Sequence, residues 1–308
     1  MIHPTLDNAK GKWKDLLERI GVDAKFLTGK HTACPMCGPG KHEHRFRFDD
    51  KDGNGCWICT QCGSGTGYQL IKALFPWNDK EVFRRIDSLI GYCEKMPTKP
   101  EPDPERVREY LIAVWKGSYP IDAMDNPARA YLLRRSGRNG VDFSSLRYHP
   151  NLKHSISNAY HPALLCGMRK MDSKVYCGIQ RIYLTMDGCK ADVDPVKMTY
   201  GEVAPVELGE PEMGALGVAE GVETALAASK HFRIPVWAAM GADGLKKFVP
   251  PSFVNYLIIF SDNDENFTGQ AAAYHLANKM ALKGIKVKIE VPAETGTDWC
   301  DVANRSRS

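Results

Sequence analysis

The sequence predicts a multi-domain α/β protein with a thiolate-stapled N-terminal domain, a basic α+β middle and a C-terminal Rossmann-like parallel sheet. Three observations predict it. Five of the ten cysteines crowd into positions 34–62. A proline-rich spacer runs from Met96 to Pro104, with prolines at 97, 100, 102 and 104 that forbid helix and favour extended chain. Beyond residue 213, short apolar strands alternate with helical segments, the rhythm of a parallel layer fold. The expected divisions are residues 1–95, a linker at 96–104, and 105–212 followed by 213–308.

The N-terminal part opens with a helix over Gly11–Ile20 and closes with helical segments at Gly67–Leu74 and Asp79–Ile90. Between them lie Cys34-Pro-Met-Cys37-Gly38 and Cys59-Thr-Gln-Cys62-Gly63, two C-x-x-C-G units separated by 21 residues. Each tight turn presents two sulfurs to one ion, and four thiolates make a closed tetrahedral zinc site with a structural role. Cys56 with Cys59 is an alternative register but lacks the following glycine, and His31, His42 and His44 are alternative ligands. Arg45–Phe48 and Gly55–Ile58 flank Asp52-Gly-Asn-Gly55, a hairpin between the two knuckles, which is a zinc-ribbon layout. Phe46, Phe48 and Trp57 beside Arg45 and Arg47 read either as a surface for single-stranded nucleic acid or as the core of a small domain.

The middle part begins helically, at Glu105–Lys116 and Pro127–Arg135, and becomes strand-like around Gly178–Thr185. Net charge over the whole chain is only +4, yet residues 127–200 alone carry +7. That excess suits a phosphate backbone or a triphosphate. Arg181, Lys190 and Lys197 flank the recognisable strand and are the candidates for nucleotide and template phosphates, whereas Arg134 and Arg135 read as a helix end complementing its dipole.

The C-terminal part places acids where strands end. Strand Leu216–Ala219 runs into Glu220, with a helix over Glu223–Lys230 behind it. After a strand at Ile234–Ala239, strand Tyr256–Phe260 delivers Asp262 and Asp264, which share a face if the chain is extended. A helix over Gly269–Lys283 and a strand at Ile285–Val291 precede Asp298 and Asp301, of which Asp298 is the candidate fourth ligand. Sites in open α/β sheets form at the carboxyl ends of strands. Three or four converging carboxylates offer hard oxygen donors suited to Mg2+ or Mn2+ rather than zinc.

Glu220-Gly221 after one strand and Asp262-x-Asp264 after another resemble the Toprim domain of topoisomerases, primases and related nucleases. His31–Gly38, Arg45–Asp50 and Trp57–Gly63 resemble the zinc-binding domain of phage and plasmid primases and primase-helicases, and Cys177–Ala191 resembles the basic segment that precedes Toprim there. Together these stretches cover most of the chain. The resemblance implies a primase making RNA primers from NTPs on a single-stranded DNA template, with Glu220, Asp262 and Asp264 catalytic through bound metal. One departure stands out: bacterial replicative primases carry an aspartate four residues after the first acid, where this chain has Thr224, and Glu223 is the candidate replacement. Rival readings are a non-catalytic, RecR-like single-strand-binding protein and a Toprim nuclease. No G-x-x-x-x-G-K-[ST] motif occurs, so a helicase would be a separate partner. The absence of a long apolar run and of a signal-peptide core gives the expectation of a cytoplasmic protein with no membrane contact, and the resemblance implies a nucleoid-associated one of phage, plasmid or other mobile-element origin.

Overall fold

The computed structural model describes residues 4–38, 44–94, 103–138, 143–173, 175–265 and 267–305. His42, Lys174 and linker residues 96–102 lie outside them. The chain forms two compact units, Met1–Glu101 and Pro102–Ser308, each described on its own below.

In the first unit, helix α2 (Trp13–Ile20) forms within the expected Gly11–Ile20 span, and a further helix, α1 (Pro4–Ala9), precedes it. Gly11 adopts a φ of 80° in the turn that joins them. A three-stranded antiparallel ribbon follows, β1 (Phe46–Phe48), β2 (Trp57–Cys59) and β3 (Gly63–Gly65), with Phe46 opposite Cys59 and Phe48 opposite Trp57. Helix α3 (Gly67–Leu74) starts at a Thr66/Gln69 capping box, and α4 (Asp79–Ile90) at the Asn78 side chain, which accepts from the Glu81 N–H. Phe46, Phe48 and Trp57 are buried with Trp13, Leu16, Leu17, Leu70 and Ile86. The three aromatics are therefore core, the second of the two readings.

The second unit begins with α5 (Pro104–Lys116), a two-residue strand β4 (Tyr119–Pro120) and α6 (Pro127–Ser136). Strands β5 (Leu146–Lys153), β6 (Tyr160–Arg169), β7 (Tyr176–Tyr183) and β8 (Lys197–Gly201) join β4 in an antiparallel sheet of order β4-β5-β6-β7-β8. Helix α5 covers one face and α6 the other. Strand β6 is therefore buried on both faces, and its apolar run masks the alternation by which strands are recognised in sequence.

The parallel layer comprises β9 (Ala215–Ala219), α7 (Val222–Phe232), β10 (Val236–Ala238), α8 (Ala242–Lys247), β11 (Tyr256–Phe260), α9 (Thr268–Ala281), β12 (Lys286–Glu290) and α10 (Trp299–Arg305). Its four strands are all parallel, in the order β10-β9-β11-β12. Leu132, Leu164 and Ile182 of the antiparallel part are buried in one cluster with Leu226, Phe260 and Trp299 of the parallel part. Residues on both sides of position 212 thus share a core. Among the described residues, no helix is long and apolar enough to cross a membrane.

Candidate metal centre and carboxylate cleft

Four sulfurs converge in the first unit. Cys34 and Cys37 come from the turn before β1, Cys59 from the end of β2 and Cys62 from the turn into β3. Their Sγ atoms all lie within 4.8 Å of one another, with Cys34–Cys62 at 3.8 Å and Cys37–Cys59 at 3.9 Å. Burial, and then the neighbouring Cys37 and Cys34 sulfurs, push the Cys62 thiol up, as expected where thiols crowd without a cation's charge. The donor set fits a structural, four-thiolate zinc. Cys56 has the parity of exposed Ile58 and not of buried Cys59 along β2, which takes it away from the cluster. His31 Nδ1 donates to the His44 carbonyl at 2.9 Å, and neither histidine joins the sulfurs.

In the second unit, a cleft of about 350 Å3 opens at the carboxyl ends of β9 and β11. Glu220 and Gly221 after β9, Glu223 and Thr224 in the first turn of α7, and Asp262 after β11 line it. Asp298, ahead of α10, closes one side, and Arg135, Gln180, Lys190 and Lys197 face the acids. Short strands that end in register bring residues far apart in sequence to one rim: Ala219 pairs with Phe260, so Glu220 and Asp262 leave the sheet together.

The loop after β11 is held firmly. The Ser261 N–H donates to the Glu290 carbonyl at 3.0 Å, and Gln270 Nε2 donates to the Asn263 side chain and the Asp264 carbonyl at 3.0 and 3.1 Å. Asp264 is not among the residues lining the cleft, but its charge acts on both Glu220 and Asp262. Burial, then Asp264, raises the Glu220 carboxyl to about 7 against a smaller opposing pull from Lys246. Burial, then Asp298, Glu220 and Asp264, raises Asp262 to about 7, while Thr224 Oγ1 donates to it at 3.5 Å. Glu220 Oε1 is buried with no hydrogen-bond partner. Among the described residues the carboxylate oxygens do not gather as tightly as the four sulfurs do. A divalent ion would relieve this mutual repulsion and give the orphaned buried oxygen a partner, so these residues fit one.

Asp298 is restrained from two sides. Its Oδ1 accepts from the Asp301 N–H at 2.9 Å, and its Oδ2 accepts from Arg135 at 3.3 Å. Asp301 instead accepts from the Asp298 N–H at 3.1 Å, as a cap on α10, and does not line the cleft.

Two of the three expected cations reach the cleft. Lys190 lines it, and burial together with the nearby Lys197 ammonium holds its amine below the ordinary value. Lys197 lies 2.6 Å from Glu223 Oε1. Arg181 is the correction: it is 4% exposed on the opposite face of the antiparallel sheet, donates to Tyr110 Oη at 2.8 Å and lies beside the packed pair of Tyr110 and Tyr200 rings. Side chains alternate along β7, so the neighbouring Gln180 faces the cleft in its place. Arg135 stands in the last turn of α6, as a residue complementing the helix dipole should, and it also crosses to Asp298. The rest of the +7 segment is largely engaged internally, with Arg147 on Ser118, Arg169 on Tyr176 and Lys170 on Glu202.

The parallel layer with its acid-lined rim defines a Toprim-type centre, and residues 215–307 match the Toprim domain family. Residues 29–68 match the zinc-binding domain of primase-helicase, so the chain joins a primase-type zinc ribbon to a C-terminal Toprim domain. Residues 105–207 match a family described as a domain of unknown function. Among solved structures, the Aquifex aeolicus primase (zinc-binding and RNA polymerase domains) is 13% identical, over 99% of this chain and 83% of that one, with a TM-score of 0.46. The RNA polymerase domain of Mycobacterium tuberculosis primase is 19% identical, over 51% of this chain and 56% of that one, with a TM-score of 0.33. These overlaps are too loose to carry an argument about activity.

Proposed function

We propose that the chain is a DNA primase, making short RNA primers on single-stranded DNA by metal-dependent nucleotidyl transfer. The observation that carries this reading is the cleft. Glu220, Asp262 and Asp298, with Asp264 behind them, face Arg135, Lys190 and Lys197 across one rim of a Toprim sheet, in a chain that also holds a primase-type zinc ribbon. A nucleoside triphosphate is a polyanion that needs both halves of such a cleft: cations for its phosphates, and carboxylates for the metal that accompanies them.

Glu220, Asp262 and Asp264 would hold Mg2+ or Mn2+, with Asp298 beside them; when bound, the ion neutralises charge that develops on the phosphoryl oxygens. Lys190 and Lys197 hold the triphosphate tail, and Arg135 keeps Asp298 turned to the cleft. In the reaction the 3′ oxygen of one nucleotide bonds to the α-phosphorus of the next. The bond to pyrophosphate breaks, and the hydroxyl proton passes to water. The ribbon contributes retention of the template, and a helicase acts in trans.

Full-length protein, mixed-sequence single-stranded DNA, four NTPs and Mg2+ test the reading. Short RNA products that vanish in Asp262→Ala are expected. No product from the wild type overturns it, and loss of labelled DNA in the absence of NTPs would make the protein a nuclease.

A further inference from the structure

We infer that Glu223 is a positioning residue that holds the Lys197 ammonium toward an incoming triphosphate, and that it is not a metal ligand. The inference rests on the primase-type reading of the cleft and adds a division of labour among its acids. Two glutamates three residues apart, Glu220 and Glu223, line the same cleft, and their surroundings differ. Glu220 Oε1 is buried without a partner. Glu223 Oε1 accepts from Tyr131 Oη at 2.7 Å and from Lys197 Nζ at 2.6 Å. The carboxylate also stands in the first turn of α7, where the helix favours negative charge. Oε1 thus already serves two donors, one of them a cation whose charge opposes a metal ion beside it.

The geometry also gives the pair a direction. The Glu223 side chain is 7% exposed and that of Lys197 is 37% exposed, so the anion is sunk in the wall while the lysine side chain is partly open and lines the cleft. The anchor itself is rigid. Tyr131 is 2% exposed in α6, and Glu223 belongs to α7, so two packed helices fix the point to which Lys197 reaches from edge strand β8. A free lysine must give up its rotamer freedom when it grips a phosphate; one tethered beforehand has given it up on folding.

Equilibrium binding to the full chain tests this without primer synthesis, using a fluorescent ATP analogue for the triphosphate and Mn2+ alone, read by electron paramagnetic resonance, for the metal. Glu223→Gln is expected to weaken triphosphate binding about tenfold and to leave Mn2+ affinity unchanged. Lys197→Gln is expected to do the same, and the double variant to be no worse than Lys197→Gln. Weakened Mn2+ binding in Glu223→Gln, or losses that add in the double variant, would overturn the inference. If Glu223→Gln does not fold, Tyr131→Phe keeps both charges and reads the same point. Weaker triphosphate binding at constant Mn2+ affinity supports the clamp, and unchanged triphosphate binding refutes it. A chain that binds triphosphate through this clamp yet makes no primers would sink the primase reading and leave the inference standing.

Discussion

Glu220 and Asp262 share a repulsion that a proton or a metal ion relieves. Each is raised to about 7, by burial first and by neighbouring carboxylates second. A carboxyl whose pKa is higher folded than unfolded contributes stability below its unfolded value, near 4, and loses it as pH rises through the folded value. Glu223 is the opposite case: held at about 2 by Lys197 and Tyr131 despite its burial, it contributes above pH 4.5 and loses that contribution as pH falls toward 2. In EDTA, therefore, thermal unfolding of the second unit should shift to lower temperature as pH is raised from 5 to 8, and millimolar Mg2+ should reverse most of that shift at pH 8. A melting midpoint indifferent to pH and Mg2+ would count against the cluster. Glu220→Gln is expected to lower primer synthesis by about 100-fold or more, measured with wild type at saturating Mg2+. The acids were legible because each follows an apolar strand. Arg181 was misplaced because one step along a strand exchanges its faces, and periodicity alone did not say which face of β7 would meet the acids.

At the scale of elements, the ribbon depends on its knuckles and on one close approach. Gly67 opens α3 directly against Trp13: a Cβ there would fall 2.1 Å from the indole Cε3. Gly67→Ala should cost the first unit about 1–3 kcal/mol, from overpacking against a ring held on several sides, as read by urea unfolding. Metal should matter more. Cys59→Ser is expected to abolish stoichiometric zinc, measured by atomic emission, and chelation should melt the ribbon signal in circular dichroism while leaving the second unit's transition in place. The knuckles, α3 and α4 could be read from the sequence because spacing and caps are local. Strand β6 could not, since a strand buried on both faces loses its polar alternation, and in β5 the alternation is interrupted by a register shift between His149 and Leu152.

At the scale of the molecule, the basic middle and the parallel layer unfold together if they share a core as the structure shows. Leu132 is fully buried among residues of both parts. Leu132→Ala should therefore cost about 2–5 kcal/mol and move a single transition for residues 102–308, followed by tryptophan fluorescence and far-ultraviolet circular dichroism. Two separated transitions would show that the parts are independent. A joint core also explains how the cleft is assembled, since its acids come from the parallel layer and its cations from α6, β8 and the segment between β7 and β8.

The sequence by itself determined the zinc knuckles, the strand–helix order of the C-terminal layer and the acids at strand ends, because each is written in spacings of a few residues. The tertiary structure alone decided which cations face those acids. Arg135 and Lys197 arrive there, Gln180 supplants Arg181, and Glu223 is spent on Lys197, because these meetings depend on how separate elements pack and on which face of a strand each side chain occupies.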